Sequence, residues 1–402
     1  MLKILIISTA VFVFLEFFVF LLFHLLKKKF QWLINSDDIN PKFNKKNLDN
    51  FLKKNYDETT GWDRKPNSKG FEISNKRTYF TINKLGFRGK KIFKKNKYNV
   101  FGDSFAFSRY VNDNETWEHN LAKKYKKNVL NFGVGNFGLD QAFLKYLKIK
   151  KKLNKKPVIF CVVPETIARV FSYWKHYREF KNIFGFKPLL NFKKKKIEII
   201  KVPKIKIRNI SKNTYKFKNS FLEQLKKKDV FYELKFKKNI FYFPYIFCFL
   251  RNIKLNSKIF YNLILNLIFK AIKKNYNNEF YIAAYAAILK NNIKESHSYY
   301  EKKDFRKKFK DLLNYINVFF KKENIEYKIL IVPQYFDLKL SNSRKKYTKF
   351  YKQINNENVI DLTEDILKFN DWQKYYFIDK YGGHLNKSGN KKLSEIIHKR
   401  LA

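Results

Sequence analysis

A serine in the first half of the chain has the surroundings that nucleophilic catalysis requires. It lies in the stretch Gly102-Asp103-Ser104-Phe105, which follows an apolar run and precedes a helical stretch. A serine at the carboxyl end of a parallel strand faces the crevice where open α/β sheets bind ligands. The start of a helix also offers a backbone N–H group suited to an oxyanion. The sequence therefore predicts Ser104 as a nucleophile; an ordinary helix N-cap is the alternative.

A glycine-rich turn follows the next predicted strand, in the stretch Asn131–Gly138 (NFGVGNFG). Glycine lets the backbone approach a ligand closely and can leave an N–H group free for a substrate oxygen. We therefore consider this turn a candidate site for binding an oxyanion. A turn with a purely structural role is the alternative.

A histidine near the carboxyl end of the chain completes the candidate set. His384 lies in the loop Gly382–Asn390 (GGHLNKSGN), just ahead of the last predicted helix. A loop position favours a functional histidine over one that is buried on an apolar helical face. A serine needs an adjacent base to become nucleophilic, and that base needs an orienting carboxylate. We therefore predict His384 as the base that activates Ser104.

The elements that must position these residues alternate between short apolar runs and helical stretches. The predicted strands are Tyr98–Phe101, Asn128–Phe132, Pro157–Val163, Tyr327–Val332 and Val359–Leu362. The predicted helices begin at Thr116, Leu139 and Thr166, and later cover Lys303–Phe320 and Lys387–Lys399. Such alternation indicates right-handed βαβ units and a parallel sheet.

A mainly helical insertion interrupts this pattern at about 180–298. Within it, Lys196–Val202 (KIEIIKV) alternates as an edge strand or a hairpin does. The segment Ile240–Leu250 (IFYFPYIFCFL) is strongly aromatic but too short to span a membrane. We interpret it as a buried or lid segment, with an interfacial segment lying on a membrane as the alternative.

The N-terminal segment Ile4–Leu26 is nearly all apolar and, at about 1.5 Å per residue, covers about 34 Å, enough to cross a bilayer. Its length and the lack of an A-x-A exit favour a retained anchor over a cleaved signal. Glu16, in the middle of this span, is either protonated or paired with a second helix. We predict an anchor over 1–29, a collar over 30–97 and an α/β domain over 98–401. A buried helix of a soluble protein is the alternative to the anchor.

The composition argues against nucleic-acid binding despite a formal net charge of +52. Phosphate-binding surfaces favour Arg and concentrate it locally, yet only 11 of the 86 basic residues are Arg. Lys is spread along the whole chain, as the codons of an AT-rich genome would produce. Neither the two cysteines, Cys161 and Cys248, nor the six histidines have disulfide-framework or metal-site spacing. No specific nucleic acid, metal or cofactor is therefore expected.

Taken in order and position, these residues resemble the SGNH/GDSL hydrolase family. The resemblance covers about 98–178 and 303–401, with a serine motif after the first strand, a glycine motif after the second and a histidine motif before the last helix. Together with Gly86-Phe87-Arg88, the spacing is similar to that of a bacterial membrane-anchored branch.

The resemblance implies a flavodoxin-like three-layer α/β/α sandwich with a parallel sheet. It also implies activity on esters, such as acetyl groups on sugars or lipid acyl chains. In this sequence it makes Ser104 the nucleophile and His384 the base, and it assigns the amides of Ser104 and Gly135 to the oxyanion hole.

The sequence departs from the family pattern after the third strand. The family places an Asn there that donates to the oxyanion, whereas this chain has Pro164-Glu165-Thr166. An ionised Glu165 would repel an oxyanion, so Thr166, Asn136 or a water molecule would have to replace the missing donor.

The second departure concerns the carboxylate. The family places its Asp three residues before the His, where this chain has Tyr381. Asp379, five residues before His384, is the predicted orienting carboxylate, and Asp371 is a second choice.

The resemblance, together with Ser104, His384 and the predicted anchor, implies hydrolysis or transfer of an O-acyl group on an envelope glycan or lipid, through an acyl-enzyme on Ser104. Hydrolase and acyltransferase share all chemistry up to that intermediate, and both remain open. The alternative from another class is a catalytically degenerate binding or scaffold module of the cell envelope. We expect a single-pass membrane protein with its catalytic domain on the extracytoplasmic, periplasmic side. The sequence predicts no particular oligomeric state.

Overall fold

The computed structural model describes residues 1–73, 76–193, 196–203, 210–211, 215–272, 276–354, 356–377 and 383–401. The chain divides into two units. The helical unit comprises Met1–Asp49, Ser172–Phe186 and Lys204–Asn291. The sheet unit comprises Asn50–Phe171, Lys187–Pro203 and Asn292–Ala402.

The sheet unit is built on five parallel strands. They are β1 Asn96–Gly102, β2 Asn128–Asn131, β3 Val158–Val162, β4 Tyr327–Ile331 and β5 Val359–Asp361. Their order across the sheet is β2-β1-β3-β4-β5, and each neighbouring pair is parallel. Every residue of β3 is buried, as expected for a strand that is covered on both faces. The predicted α/β class with a parallel sheet is thus confirmed.

Helices connect these strands and form most of the helical unit. In the described residues, the α-helices are α1 Leu2–Lys29, α2 Lys45–Lys54, α3 Trp117–Tyr125, α4 Leu139–Ile149, α5 Thr166–Val170, α6 Lys175–Arg178, α7 Asn219–Lys228, α8 Tyr245–Arg251, α9 Ile253–Ile272, α10 Glu279–Ser298, α11 Lys303–Glu323, α12 Tyr335–Lys339, α13 Ser341–Ile354, α14 Thr363–Leu367 and α15 Lys387–Leu401. Helix α3 begins where the sequence predicts because the Thr116 side chain accepts the N–H of His119 at 3.1 Å.

Short strands and single helical turns complete the chain. The antiparallel pairs are Tyr56–Asp57 with Gly61–Trp62, Ser68–Ile73 with Arg77–Ile82, Leu189–Lys193 with Lys196–Ile200, Ile210–Ser211 with Lys216–Phe217, and Tyr376–Phe377 with His384–Leu385. The hairpin interpretation of the segment that starts at Lys196 is therefore confirmed. The 3-10 turns are Ser36–Ile39, Asp113–Glu115, Lys150–Lys152, Lys237–Asn239 and Trp372–Tyr375, and Tyr232–Phe236 is a π-helical turn.

The helical unit contains α1, which is long and apolar enough to cross a membrane. Every side chain from Leu2 to Leu15 is exposed. The last third of α1 instead packs against α8, α9 and α10, in a buried cluster that includes Phe23, Leu26 and Phe260. The N-terminal half and the last third of α1 therefore have different environments within this unit.

The aromatic segment Ile240–Leu250 folds against α1. Its first two residues form a short parallel pair with Ile34–Asn35, and α8 follows. The carboxylate of Glu16 accepts the N–H groups of Tyr245 and Ile246, the first two residues of α8, at 2.6 and 2.9 Å. Of the two alternatives considered for Glu16, the structure therefore shows the contact with a second helix.

Candidate active site

Ser104 and His384 meet at the carboxyl edge of the parallel sheet. Ser104 is two residues beyond the end of β1, and His384 lies in the antiparallel pair that precedes α15. Nε2 of His384 is 2.8 Å from Oγ of Ser104. Both residues are buried, with exposed fractions of 6% for Ser104 and 3% for His384. The 280 residues that separate them in sequence are thus bridged, and a hydroxyl and an imidazole so placed can exchange a proton.

Close packing and an aspartate hold the serine loop in place. A Cβ atom added to Gly102 would lie 1.8 Å from the backbone oxygen of Cys161 in β3, so no larger residue fits there. The carboxylate of Asp103, beside the serine, accepts the N–H of Phe105 at 2.8 Å and the N–H of Val163 at 2.9 Å. Asp103 therefore ties the loop after β1 to the loop after β3.

A buried ion-pair network connects Asp103 with Glu165 through Arg169. The Arg169 guanidinium lies 3.1 Å from an Asp103 oxygen and 2.8 Å from a Glu165 oxygen. Burial raises the pKa of Asp103, while Arg169 and the two amides that donate to Asp103 oppose that rise. The charge of Glu165, which the sequence suggested would repel an oxyanion, is paired with Arg169 in the structure.

The glycine-rich turn lies directly against the serine loop. The N–H of Val134 donates to the backbone oxygen of Gly102 at 2.9 Å, and a Cβ atom on Gly133 would lie 2.2 Å from the nitrogen of Phe107. A Cβ atom on Gly135, by contrast, would have no atom within 4 Å. The turn is therefore fixed at its start and borders open space at Gly135.

The backbone N–H groups of Ser104 and Gly135 are candidates for an oxyanion hole. In the described part of the chain, neither of them donates to a protein acceptor. Asn136 adopts a positive φ of 66° in the same turn, a conformation that asparagine tolerates better than most residues. Unengaged amides beside a serine hydroxyl are the groups that acyl-transfer chemistry requires.

Thr166, which the sequence offered as a substitute donor, has a structural contact. Its side chain is wholly buried, and its Oγ1 accepts the N–H of Leu139 at 2.9 Å. This hydrogen bond satisfies the first amide of α4, which an α-helix cannot pair internally. Its predicted role in an oxyanion hole remains a prediction.

The predicted orienting carboxylate, Asp379, lies outside the described residues. The second choice, Asp371, is exposed and forms an ion pair with Lys374, which lowers its pKa. In the structure, the partner of Asp371 is therefore the surface residue Lys374.

The imidazole of His384 is enclosed by two aromatic rings. Phe105 stacks on it at a centroid distance of 5.1 Å, and Tyr110 meets it edge to face at 5.6 Å. After the histidine, Asn386 accepts the N–H of Gly389 at 2.9 Å and so fixes the start of α15. These contacts restrict the rotation of the ring that faces Ser104.

Trp62 and Arg88, which both precede the first core strand in sequence, support the site. The sequence analysis did not assign either of them a role. The indole N–H of Trp62 donates to the backbone oxygen of Gly135 at 3.0 Å. The guanidinium of Arg88 donates to the backbone oxygens of Phe107, Ser108 and Val111 in the loop after Ser104. Arg88 and Arg169 are both buried, so the rarity of Arg in this Lys-rich chain was a signal that could have identified them.

No cluster of three or more His, Cys, Asp or Glu side chains that could hold a metal ion occurs among the described residues.

Comparison with known proteins identifies no relative of this chain. No protein-family model matches the sequence, and no curated protein matches it.

Proposed function

We propose that this protein is a membrane-anchored enzyme of ester chemistry that uses Ser104 as its nucleophile. The observation that carries the proposal is the 2.8 Å contact between Ser104 and His384, with two unengaged amides in the adjacent loops. A serine beside an imidazole and near backbone donors is the arrangement that acyl-transfer enzymes use on unrelated folds.

The fold of the sheet unit supports assignment to the SGNH/GDSL hydrolase type. The strand order β2-β1-β3-β4-β5 is that of flavodoxin-like doubly wound sheets, whose ligands bind beyond the carboxyl ends of the strands. The serine, glycine and histidine motifs lie after β1, after β2 and before α15, as in that family. We infer from these positions the three-layer α/β/α sandwich of the family.

The proposed reaction begins when Oγ of Ser104 attacks an ester carbonyl. At the same time, His384 takes the proton of the Ser104 hydroxyl. The amides of Ser104 and Gly135 then stabilise the negative oxygen of the tetrahedral intermediate. His384 returns the proton to the departing alcohol, which leaves an acyl group on Ser104. Water resolves this acyl-enzyme in a hydrolase, and a sugar hydroxyl resolves it in an acyltransferase. Asp379 is the proposed partner that orients the imidazole.

The setting that we propose is the bacterial cell envelope. Helix α1 would anchor the chain as a single span, with the catalytic domain on the extracytoplasmic side and an acylated glycan or lipid as substrate. The formal charge of +52 would concentrate anionic glycans and acidic lipids near the protein.

Turnover of a simple ester tests this proposal. Detergent-solubilised protein should hydrolyse p-nitrophenyl acetate, and Ser104→Ala or His384→Ala should lower kcat by at least about 10³-fold. A matched control exists in Ser343→Ala, because Ser343 also hydrogen-bonds a histidine, His297, at 2.8 Å. The control should keep full activity. Folded protein without Ser104-dependent turnover of any short ester would favour the degenerate binding or scaffold module.

A further inference from the structure

The position of Glu16 on α1 determines where the start of α8 lies along that helix. Glu16 is the one acidic residue of α1, and its exposed fraction is 8%, against 40% for Leu15 and 58% for Phe17. Its two carboxylate oxygens accept the N–H groups of Tyr245 and Ile246. The start of α8 must therefore lie at the same level along α1 as Glu16.

That level falls inside the hydrocarbon if α1 spans a bilayer. Lys27 pairs with Asp38 at 2.5 Å, and two further lysines follow, so the polar end of the span lies no later than Lys27. From Glu16 to Lys27 the helix rises about 16 Å. A span of about 20 residues that begins at Lys3 reaches Phe23, which still leaves Glu16 about 10 Å inside.

The segment around α8 also presents apolar side chains outward. Phe243 is 73% exposed, Phe247 is 56% exposed and Leu250 is 48% exposed. The ring of Phe247 lies 6.0 Å from that of Phe12, which is one turn of α1 closer to the N-terminus than Glu16. The exposed apolar surface of the segment is therefore continuous with the exposed apolar surface of α1.

The two ends of this segment are held together. No charged residue occurs from Ile240 to Leu250, whereas Lys238 precedes this stretch and Arg251 follows it. The Arg251 guanidinium donates to the backbone oxygen of Lys238 at 3.3 Å and to the hydroxyl of Tyr242 at 3.0 Å. A segment too short to span, with adjacent charged ends, enters and leaves from one side.

The backbone at the tip of the segment is suited to a nonpolar environment. Pro244 has no N–H group, and Glu16 accepts the next two amides, which would otherwise be the unpaired donors of a helix start. Backbone groups within hydrocarbon must be satisfied by protein partners. A buried carboxylate in a membrane helix also requires such a partner. The Glu16 carboxylate and the two amides at the start of α8 therefore satisfy each other's hydrogen-bonding needs.

We propose that Ile240–Leu250 is a re-entrant segment, inserted into the bilayer beside α1 from the side of Lys27, with Phe243 and Phe247 in contact with lipid acyl chains. The proposal rests on the membrane anchor proposed above. It makes the helical unit a membrane-embedded body with two inserted elements, one of which crosses the bilayer and one of which returns.

Site-specific photocrosslinking in vesicles of phosphatidylethanolamine and phosphatidylglycerol tests the proposal. The full-length protein would carry p-benzoylphenylalanine at Phe243 or Phe247, and mass spectrometry would detect attached lipid. A matched control is Tyr79, an aromatic residue of the sheet unit with a 58% exposed side chain. A positive control is Val13 on α1, which is 60% exposed.

We expect lipid adducts at Phe243, Phe247 and Val13, at least about tenfold above those at Tyr79. Adducts at Val13 without adducts at Phe243 and Phe247 would overturn the re-entrant segment and leave the anchor intact. Absence of adducts at all three positions would overturn the anchor, and the re-entrant segment with it.

Discussion

Arg169 removes the difficulty that an acidic residue near a serine nucleophile creates. An unpaired carboxylate at Glu165 would oppose the negative charge that develops on an attacked carbonyl. Its ion pair with Arg169 compensates that charge, and Arg169 contacts Asp103 beside Ser104 as well. At the scale of single residues, the departure from the family pattern after the third strand is thus compatible with a working serine.

Replacing the proposed orienting carboxylate, Asp379, should slow ester turnover. Asp379→Asn should lower kcat by orders of magnitude, up to about 10⁴-fold, because an amide in place of the carboxylate favours the wrong imidazole tautomer. Asp371→Asn should change kcat by less than about twofold, since Asp371 pairs with Lys374 at the surface. Ester turnover of both variants checks this. Equal, small effects would mean that Ser104 and His384 act without a carboxylate.

The glycine-rich turn is held in place by a residue from a distant part of the chain. Trp62 fixes the carbonyl of Gly135 through its indole N–H and packs on Phe137 at a centroid distance of 5.9 Å. The hydrogen bond reaches across 73 residues of sequence. If the Gly135 amide stabilises an oxyanion, the rate should depend on this remote indole.

Trp62→Phe tests that dependence, because it removes the hydrogen bond and keeps the aromatic packing. We expect kcat/KM to fall about 10- to 100-fold and the free energy of unfolding to fall by only about 1 kcal/mol. Trp32→Phe in the helical unit is the control, with a change in stability alone. Unchanged kcat/KM in Trp62→Phe would remove Gly135 from the proposed oxyanion hole.

The strands and helices were largely predictable from the sequence, whereas the long-range side-chain contacts that support the site were not. The first core strand was expected at Tyr98–Phe101 and is found at Asn96–Gly102, because a strand buried on both faces reads as a continuous apolar run. The contact between Ser104 and His384 followed from the order of their motifs. The contact of Arg169 with Asp103 did not, because it depends on packing between helix α5 and the loop after β1, with the two residues 66 positions apart.

At the scale of the whole molecule, the helical unit should respond to acid through His176. This side chain is wholly buried, its Nε2 lies 3.0 Å from the backbone oxygen of Asp38, and burial lowers its pKa to about 3. In the unfolded chain the pKa returns to about 6.5. The unfolded state therefore binds more protons between these values, and stability falls as the pH drops through that range.

The expected slope is at most about 1.4 kcal/mol per pH unit for this one proton. Urea unfolding in detergent at pH 7.5 and 4.5 measures it, with His176→Gln as the variant that cannot take up the proton. The wild type should lose more stability on acidification than His176→Gln does. Parallel losses in both proteins would show that His176 is not the group responsible.

Reaction with a fluorophosphonate reports whether Ser104 is an activated nucleophile. The phosphorus adduct mimics the tetrahedral state of acyl transfer, so labelling reports the serine, the base and the oxyanion donors together. The chain supplies an internal comparison, since Ser343 contacts His297 at 2.8 Å and His297 contacts Asp337 at 2.8 Å. We predict one adduct, on Ser104 by mass spectrometry, that is absent in Ser104→Ala and unchanged in Ser343→Ala. An adduct on Ser343, or folded protein that remains unlabelled, would contradict the assignment of Ser104 as the nucleophile.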